Sequence, residues 1–238
     1  MELRSDPSTI DASWLTQVLQ NRYPGGSVDQ VDSASIGTGQ VGENVRFSLR
    51  GQGIPESVVG KFPSLDPVSK QTGILQRNYV REVFFYQALQ SEVKIQTPVI
   101  HHAAIDPETH EFVLIMEDLA PGQQGDQLAG CSVDQAALAL EQLAHLQGPK
   151  WGDEALARHD LLMGAGATDG ASLLTELYQN LMPGYLARYQ DTLSPLEVTA
   201  TEGLLERLPS YQSLYANEPP VLIHVDYRLD NMMFGGPY

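Results

Sequence analysis

One cysteine, Cys131, is the only thiol in the 238 residues. A single thiol cannot close an internal disulfide or build a cysteine metal cage, so neither device can hold this fold together. Cysteine usage of this kind matches a reducing compartment, and a cytoplasmic protein is expected. Long apolar runs are also missing. The longest, near residues 112–116, is far too short to cross a bilayer. The first residues, Met1-Glu2-Leu3-Arg4-Ser5-Asp6, lack the charged-then-apolar layout of a secretory signal, and no membrane partner is expected. Basic residues are scarce. Lys and Arg number 14 against 30 Asp and Glu, a net charge of −16. The imbalance is local: residues 1–100 carry 9 basic and 10 acidic side chains, residues 101–238 carry 5 and 20. A field of that sign repels nucleic acid and favours neutral or cationic small molecules. No Gly-x-Ser-x-Gly elbow is present to support a Ser-His-Asp hydrolase. His101, His102 and His110 have no carboxylate or cysteine at ligand spacing, so they read as strand or turn residues, and His145 as a packing or surface residue.

What is present is an ordinary globular composition, 42% hydrophobic and 18% charged. The length suffices for one large domain or two lobes. Asp11 caps an amphipathic helix over residues 12–19, with Trp14, Leu15, Val18 and Leu19 on one face. Strands are expected at 31–36, 44–50, 57–62, 98–105 and 111–116, and a helix at 79–89. Residues 120–125 are turn-rich and mark a hinge. Beyond it, helices are expected at 133–147, with a Leu138, Leu143, Leu146 stripe, at 172–189, interrupted near Pro183-Gly184, and at 195–208. The layout is α+β: a sheet-rich N-terminal lobe over 1–119, a linker over 120–132 and a helical lobe over 133–238.

Three groups of residues carry chemistry. Gly37-Thr38-Gly39-Gln40-Val41-Gly42 is a Gly-x-Gly-x-x-Gly. A dinucleotide-binding turn would have to run from a strand into a helix. Here Val45, Phe47 and Leu49 alternate with polar residues, so the loop joins two strands and a nicotinamide-dependent dehydrogenase is disfavoured. Glycine lets such a hairpin bring its N–H groups onto phosphates. Lys61 ends the apolar strand that follows, and Glu82 interrupts the apolar face of the 79–89 helix. An unpaired carboxylate on that face would be expensive, and pairing with Lys61 removes the penalty while aiming the ammonium at the α- and β-phosphates. Further on, Leu222-Ile223-His224-Val225-Asp226-Tyr227-Arg228-Leu229-Asp230-Asn231 reads as a short buried strand and a polar turn, leading into a second strand at 232–234. Its Asp can accept a proton from an attacking hydroxyl, and an Asn five residues on can hold a magnesium ion.

This ordered set, with Met116-Glu117-Asp118-Leu119 at the end of an apolar strand, resembles the aminoglycoside phosphotransferase and choline kinase-like small-molecule kinases. The phrases at 116–122 and 224–231 look closest to their ecdysteroid kinase-like branch. The resemblance implies a protein-kinase-like two-lobe fold that uses ATP and Mg²⁺ to phosphorylate a hydroxyl. It implies Asp226 as catalytic base, Asn231 as metal ligand, His224 as a residue holding the loop and Arg228 as a cation for the γ-phosphate. Gly37, Gly39, Gly42, Lys61 and Glu82 would serve the nucleotide phosphates, and the backbone at Glu117 and Leu119 the adenine edge. The pattern also implies a metal-binding Asp on a strand after Asn231. Phe234-Gly235-Gly236-Pro237-Tyr238 reads as the preceding turn, so that Asp is expected beyond Tyr238 and the helical lobe is expected to be incomplete. A non-catalytic nucleotide-binding or regulatory protein is the alternative expectation. The acceptor would be a neutral or cationic hydroxyl compound.

Overall fold

The computed structural model describes residues 1–37, 42–162, 169–214 and 218–236. The chain forms two compact units, Met1–Lys150 with Leu222–Tyr238, and Trp151–Val221. In the first, helix α1 (Ala12–Leu19) begins where expected, with the Asp11 carboxylate accepting the Trp14 N–H at 2.8 Å. A five-stranded antiparallel sheet follows, β1 (Ser27–Ser35), β2 (Gly42–Gln52), β3 (Ser57–Pro63), β4 (Ile100–Ile105) and β5 (Phe112–Glu117), in the order β1-β2-β3-β5-β4. Period-two alternation divides its residues between two faces. Val45, Phe47, Leu49, Val58, Phe62, Val113 and Ile115 join Trp14, Leu15, Val18 and Leu19 of α1 in one core cluster. On the other face, helix α3 (Asn78–Phe84) packs Tyr79 and Val83 on Phe112 and Leu114. Each such side chain withdrawn from water contributes roughly 1.5–3 kcal/mol.

Helix α3 passes into a π-helical turn, Phe85–Leu89, so the expected 79–89 helix is present with a change of winding. Ahead of it lies α2 (Pro67–Leu75), an element absent from the expectations above. Its signal was local: Asp66 caps it by accepting the Ser69 N–H at 2.7 Å, and Pro67 occupies the first turn, where a missing N–H is harmless. The strand β6 (Gln123–Gln124) and helix α4 (Val133–Gln147) complete this stretch, α4 opening with a capping box between Ser132 and Gln135. Its expected leucine stripe is only partly buried: Leu146 is inside, Leu138 exposed. The helix docks through its C-terminal half, where His145 C=O accepts Lys94 N–H at 3.0 Å and the Gln142 side chain accepts Gln96 N–H at 2.8 Å.

The strand expected at the start of the 222–234 segment does not form. Residues 222–228 have no regular structure, 229–231 make a 3-10 turn, and only β7 (Met233–Phe234) pairs, with β6. Leu222 is buried, but Ile223 and Val225 face solvent, and Val225 has φ +69°, a left-handed conformation that a strand cannot contain.

In the second unit, α5 (Glu154–Ala157) precedes α6 (Asp169–Tyr189) and α7 (Pro195–Ser213). The break expected at Pro183-Gly184 is absent, and α6 runs through Pro183. A proline removes one backbone bond of the ladder. A 21-residue helix, tied to α7 by Tyr178 OH donating to Thr201 C=O at 2.7 Å, sustains that loss.

His101 and His102 on β4 lie beneath α1 and the turn after it, with His102 edge-on to Trp14 at 5.5 Å and His101 tilted against Tyr23 at 5.9 Å. Burial pushes both imidazoles below their ordinary value of 6.5. Arg22 pushes His101 further down while Glu117 opposes, and the chain's amino terminus pushes down His102. The unfolded chain therefore binds protons first as pH falls, and the stability present above pH 6.5 is lost below it. Thermal melts at about pH 7, 6 and 5 are expected to show a falling melting temperature, with a flatter profile for a His101→Gln/His102→Gln variant.

Candidate active site

Lys61 sits on β3 opposite Asn44 of β2 and Leu114 of β5, on the sheet face that α3 covers. Its Nζ is 2.6 Å from Glu82 Oε1, with the two side chains 29% and 28% exposed. The neighbouring residue Val83 is fully buried in the cluster under α3, so the docking of that helix sets where Glu82 stands. Gly42 faces the lysine stem: a Cβ there would come within 3.0 Å of Phe62 C=O and 3.3 Å of Lys61 Cε. The hairpin between β1 and β2 is closed by Ile36 N–H donating to Asn44 C=O at 2.8 Å, and Gly37 within it has φ +75°, which glycine adopts freely. Gly39 lies outside the described residues.

At the end of β5 each backbone group has a distinct fate. Glu117 N–H donates to Val99 C=O at 2.8 Å, and the Glu117 carboxylate accepts Val99 N–H at 3.1 Å. Leu119 C=O accepts Gly122 N–H at 2.8 Å. The Leu119 N–H donates to no partner among the described residues. Between them Asp118, 6% exposed at its side chain, takes a two-pronged ion pair from Arg46 at 2.6 and 3.0 Å and a hydrogen bond from Ser57 Oγ at 2.7 Å. Burial raises the Asp118 carboxyl, but the Arg46 guanidinium, the Ser57 hydroxyl and the Ala120 N–H outweigh it and hold the group below the ordinary carboxylate range.

The loop at 224–231 presents Asp226 outward, with its side chain 62% exposed. Asn231 Nδ2 donates both to Asp226 C=O at 2.8 Å and to Asp226 Oδ2 at 2.9 Å, so one amide fixes backbone and carboxylate together. Arg228 Nε lies 3.1 Å from Asp226 Oδ1, and its other arm reaches Asp230 at 3.2 Å. His224 is exposed and meets Tyr227 edge to face at 5.9 Å. Sequence reasoning missed what holds this loop. Tyr227 OH donates to Ala139 C=O of α4 at 2.6 Å. Leu229 N–H donates to the Gln127 side chain, and Gln127 N–H to the Asp230 carboxylate, both at 3.0 Å. Gly125 N–H reaches Met232 C=O at 3.0 Å, and the Gln124 side chain donates to Asp230 C=O. Nothing in the spacing of Gln124 and Gln127 pointed to a loop a hundred residues away. Arg46 did leave a signal, a cation on the polar side of an alternating strand. Among the described residues no three His, Cys, Asp or Glu side chains converge as a metal site.

An antiparallel sheet with helices packed on it is the architecture of the kinase-like phosphotransferases. The chain belongs to the phosphotransferase enzyme family (APH), whose profile matches residues 58–238. None of the curated proteins compared with it matches. Among solved structures it is similar to the GDP complex of a variant of aminoglycoside 2'-phosphotransferase-IIIa, with 20% identity and a TM-score of 0.47 over 91% of this chain and 64% of that one. A GDP and kanamycin complex of APH(2")-IIIa matches at 19% identity and a TM-score of 0.46, over 90% and 64% of the two chains. This chain thus spans about two thirds of the length of those structures.

Val225, 86% exposed and left-handed, stands immediately before Asp226. A branched side chain in that conformation costs about 1–2 kcal/mol, whereas glycine adds only ~0.5–1 kcal/mol of backbone entropy. Val225→Gly is therefore expected to match or exceed the wild type in denaturant melts. The exposed mid-helix control Leu140→Gly is expected to lose about 0.8 kcal/mol.

Proposed function

We propose that this chain is an ATP-dependent phosphotransferase that moves the γ-phosphoryl group to a hydroxyl of a small molecule. The observation that carries this reading is the Asp226–Asn231 pair. An outward-facing carboxylate, fixed through its own backbone by one amide, lies in a segment that matches the phosphotransferase family. Asp226 takes the proton from the acceptor hydroxyl as that oxygen bonds to the γ-phosphorus and the bond to the β-phosphate oxygen breaks, releasing ADP. Asn231 and Arg228 hold the carboxylate in place. Lys61, aimed by Glu82, and the glycine hairpin bind the triphosphate, and the free Leu119 N–H takes an acceptor atom on the base edge. The Asn231 amide spends its nitrogen on Asp226, and no donor among the described residues engages its oxygen. That oxygen would serve as one ligand to Mg²⁺, which would neutralise phosphate charge when bound.

Within the family we place the chain with the ecdysteroid kinase-like branch, on the wording of 116–122 and 224–231. We divide its work among a nucleotide-binding lobe at 1–119, a linker at 120–132 and a catalytic lobe at 133–238, in the cytoplasm, where ATP is available. No helix among the described residues is long and apolar enough to cross a membrane. The acidic balance of residues 101–238 favours a neutral or cationic acceptor.

Asp226→Asn is expected to cut phosphoryl transfer by about 10²–10⁴-fold while ATP affinity stays within about threefold, the signature of a lost general base. Transfer is to be assayed across aminoglycosides, choline-like amines, sterol-like alcohols, sugars and sugar phosphates. Undiminished turnover by the variant would refute the role of Asp226. Preference for a phosphorylated acceptor would refute the charge argument.

A further inference from the structure

Asp118 is the most enclosed carboxylate beside the proposed nucleotide site, and the mechanism above does not use it. Val58 stands opposite Glu117 and Arg46 opposite Val59, so Arg46, Ser57 and Asp118 come to one end of the sheet face that carries Lys61. Every lone-pair direction of the Asp118 carboxylate is occupied. Oδ2 accepts Arg46 Nε at 2.6 Å and Ser57 Oγ at 2.7 Å. Oδ1 accepts the second Arg46 arm at 3.0 Å and Ala120 N–H at 3.1 Å. A carboxylate so filled has nothing left with which to read a base or hold a metal. What it does instead is join β2, β3 and the chain leaving β5 at one point.

Among the described residues, the Leu119 N–H at that point has no acceptor. Glu117 N–H is committed to Val99, Ala120 N–H to Asp118 itself, and Leu119 C=O to Gly122, leaving the Leu119 N–H unbonded between fixed neighbours. We infer that Asp118, clamped by Arg46 and Ser57, is a positioning residue for the nucleotide base, because it fixes the direction in which the Leu119 N–H points. The inference rests on the phosphotransferase reading above and adds to it the residue that tunes recognition of the base. Arginine is required for the clamp, since a planar fork spans both carboxylate oxygens and an ammonium cannot.

The test separates base from phosphates. Affinities for ATP and for inorganic tripolyphosphate are measured by calorimetry on the wild type, Asp118→Asn, Arg46→Lys and Ser57→Ala. Asp118→Asn is expected to weaken ATP about tenfold, the value of one oriented hydrogen bond, and tripolyphosphate less than about twofold. Arg46→Lys and Ser57→Ala are expected to act in the same direction with smaller effect, and they decide the matter if Asp118→Asn does not fold. Equal weakening of both ligands would mean that Asp118 only stabilises the sheet, and unchanged ATP binding would mean that it does nothing for the base; either overturns the inference alone. A wild type that binds neither ligand overturns the phosphotransferase reading, and this inference with it.

Discussion

Burial of β5 on both faces is the constraint on which the site depends. Phe112, Val113, Leu114 and Ile115 are all fully inside, with alternate residues pointing to opposite faces. Such a strand needs two covers, and the chain supplies α1 for Val113 and Ile115 and α3 for Phe112 and Leu114. Covering the second face brings Glu82 over β3. Pairing β5 with β3 places Lys61 beneath it and sets Asp118 beside Ser57. Apolar burial thus fixes polar geometry.

The charges that result are half-enclosed and matched. Lys61–Glu82, Arg46–Asp118 and Lys70–Glu111 each join a basic residue from one element to a carboxylate from another. Pairs of this kind add little net stability, because desolvation offsets most of the attraction. Losing one member is another matter, since the partner is left partly buried and uncompensated. Their contribution is therefore mainly to geometry: each fixes one part of the chain against another, and the first two do so beside the proposed nucleotide site.

The loop around Asp226 is built differently. It contributes almost nothing to the core, and its functional groups face water. Hydrogen bonds exchanged with residues 124–127 and one donated to the backbone of α4 hold it. A loop braced by polar contacts to neighbouring elements can keep a strained residue such as Val225 next to an exposed carboxylate, because the strain is opposed outside the strained residue itself.

The sequence by itself determined whatever depends on neighbours a few residues apart. The period of Val45, Phe47 and Leu49 declared β2 and thereby made the glycine triplet a strand-to-strand hairpin. Asp11 and the Trp14, Leu15, Val18, Leu19 face bounded α1, and a glutamate on an apolar helix face implied a partner, which Lys61 supplies. The tertiary structure alone decided what depends on distant residues. Arg46 and Asp118 are 72 positions apart, and Gln127 and Asp230 are 103 apart. No local pattern records which cation or amide will arrive. The apolar stripe of α4 looked buried throughout because hydrophobic spacing shows which face could be covered, while only the packed fold shows how much of it is. For the same reason residues 222–225 read as a strand: alternation supplies the residues for a ladder, but a ladder forms only where a second strand lies alongside, and among the described residues none does.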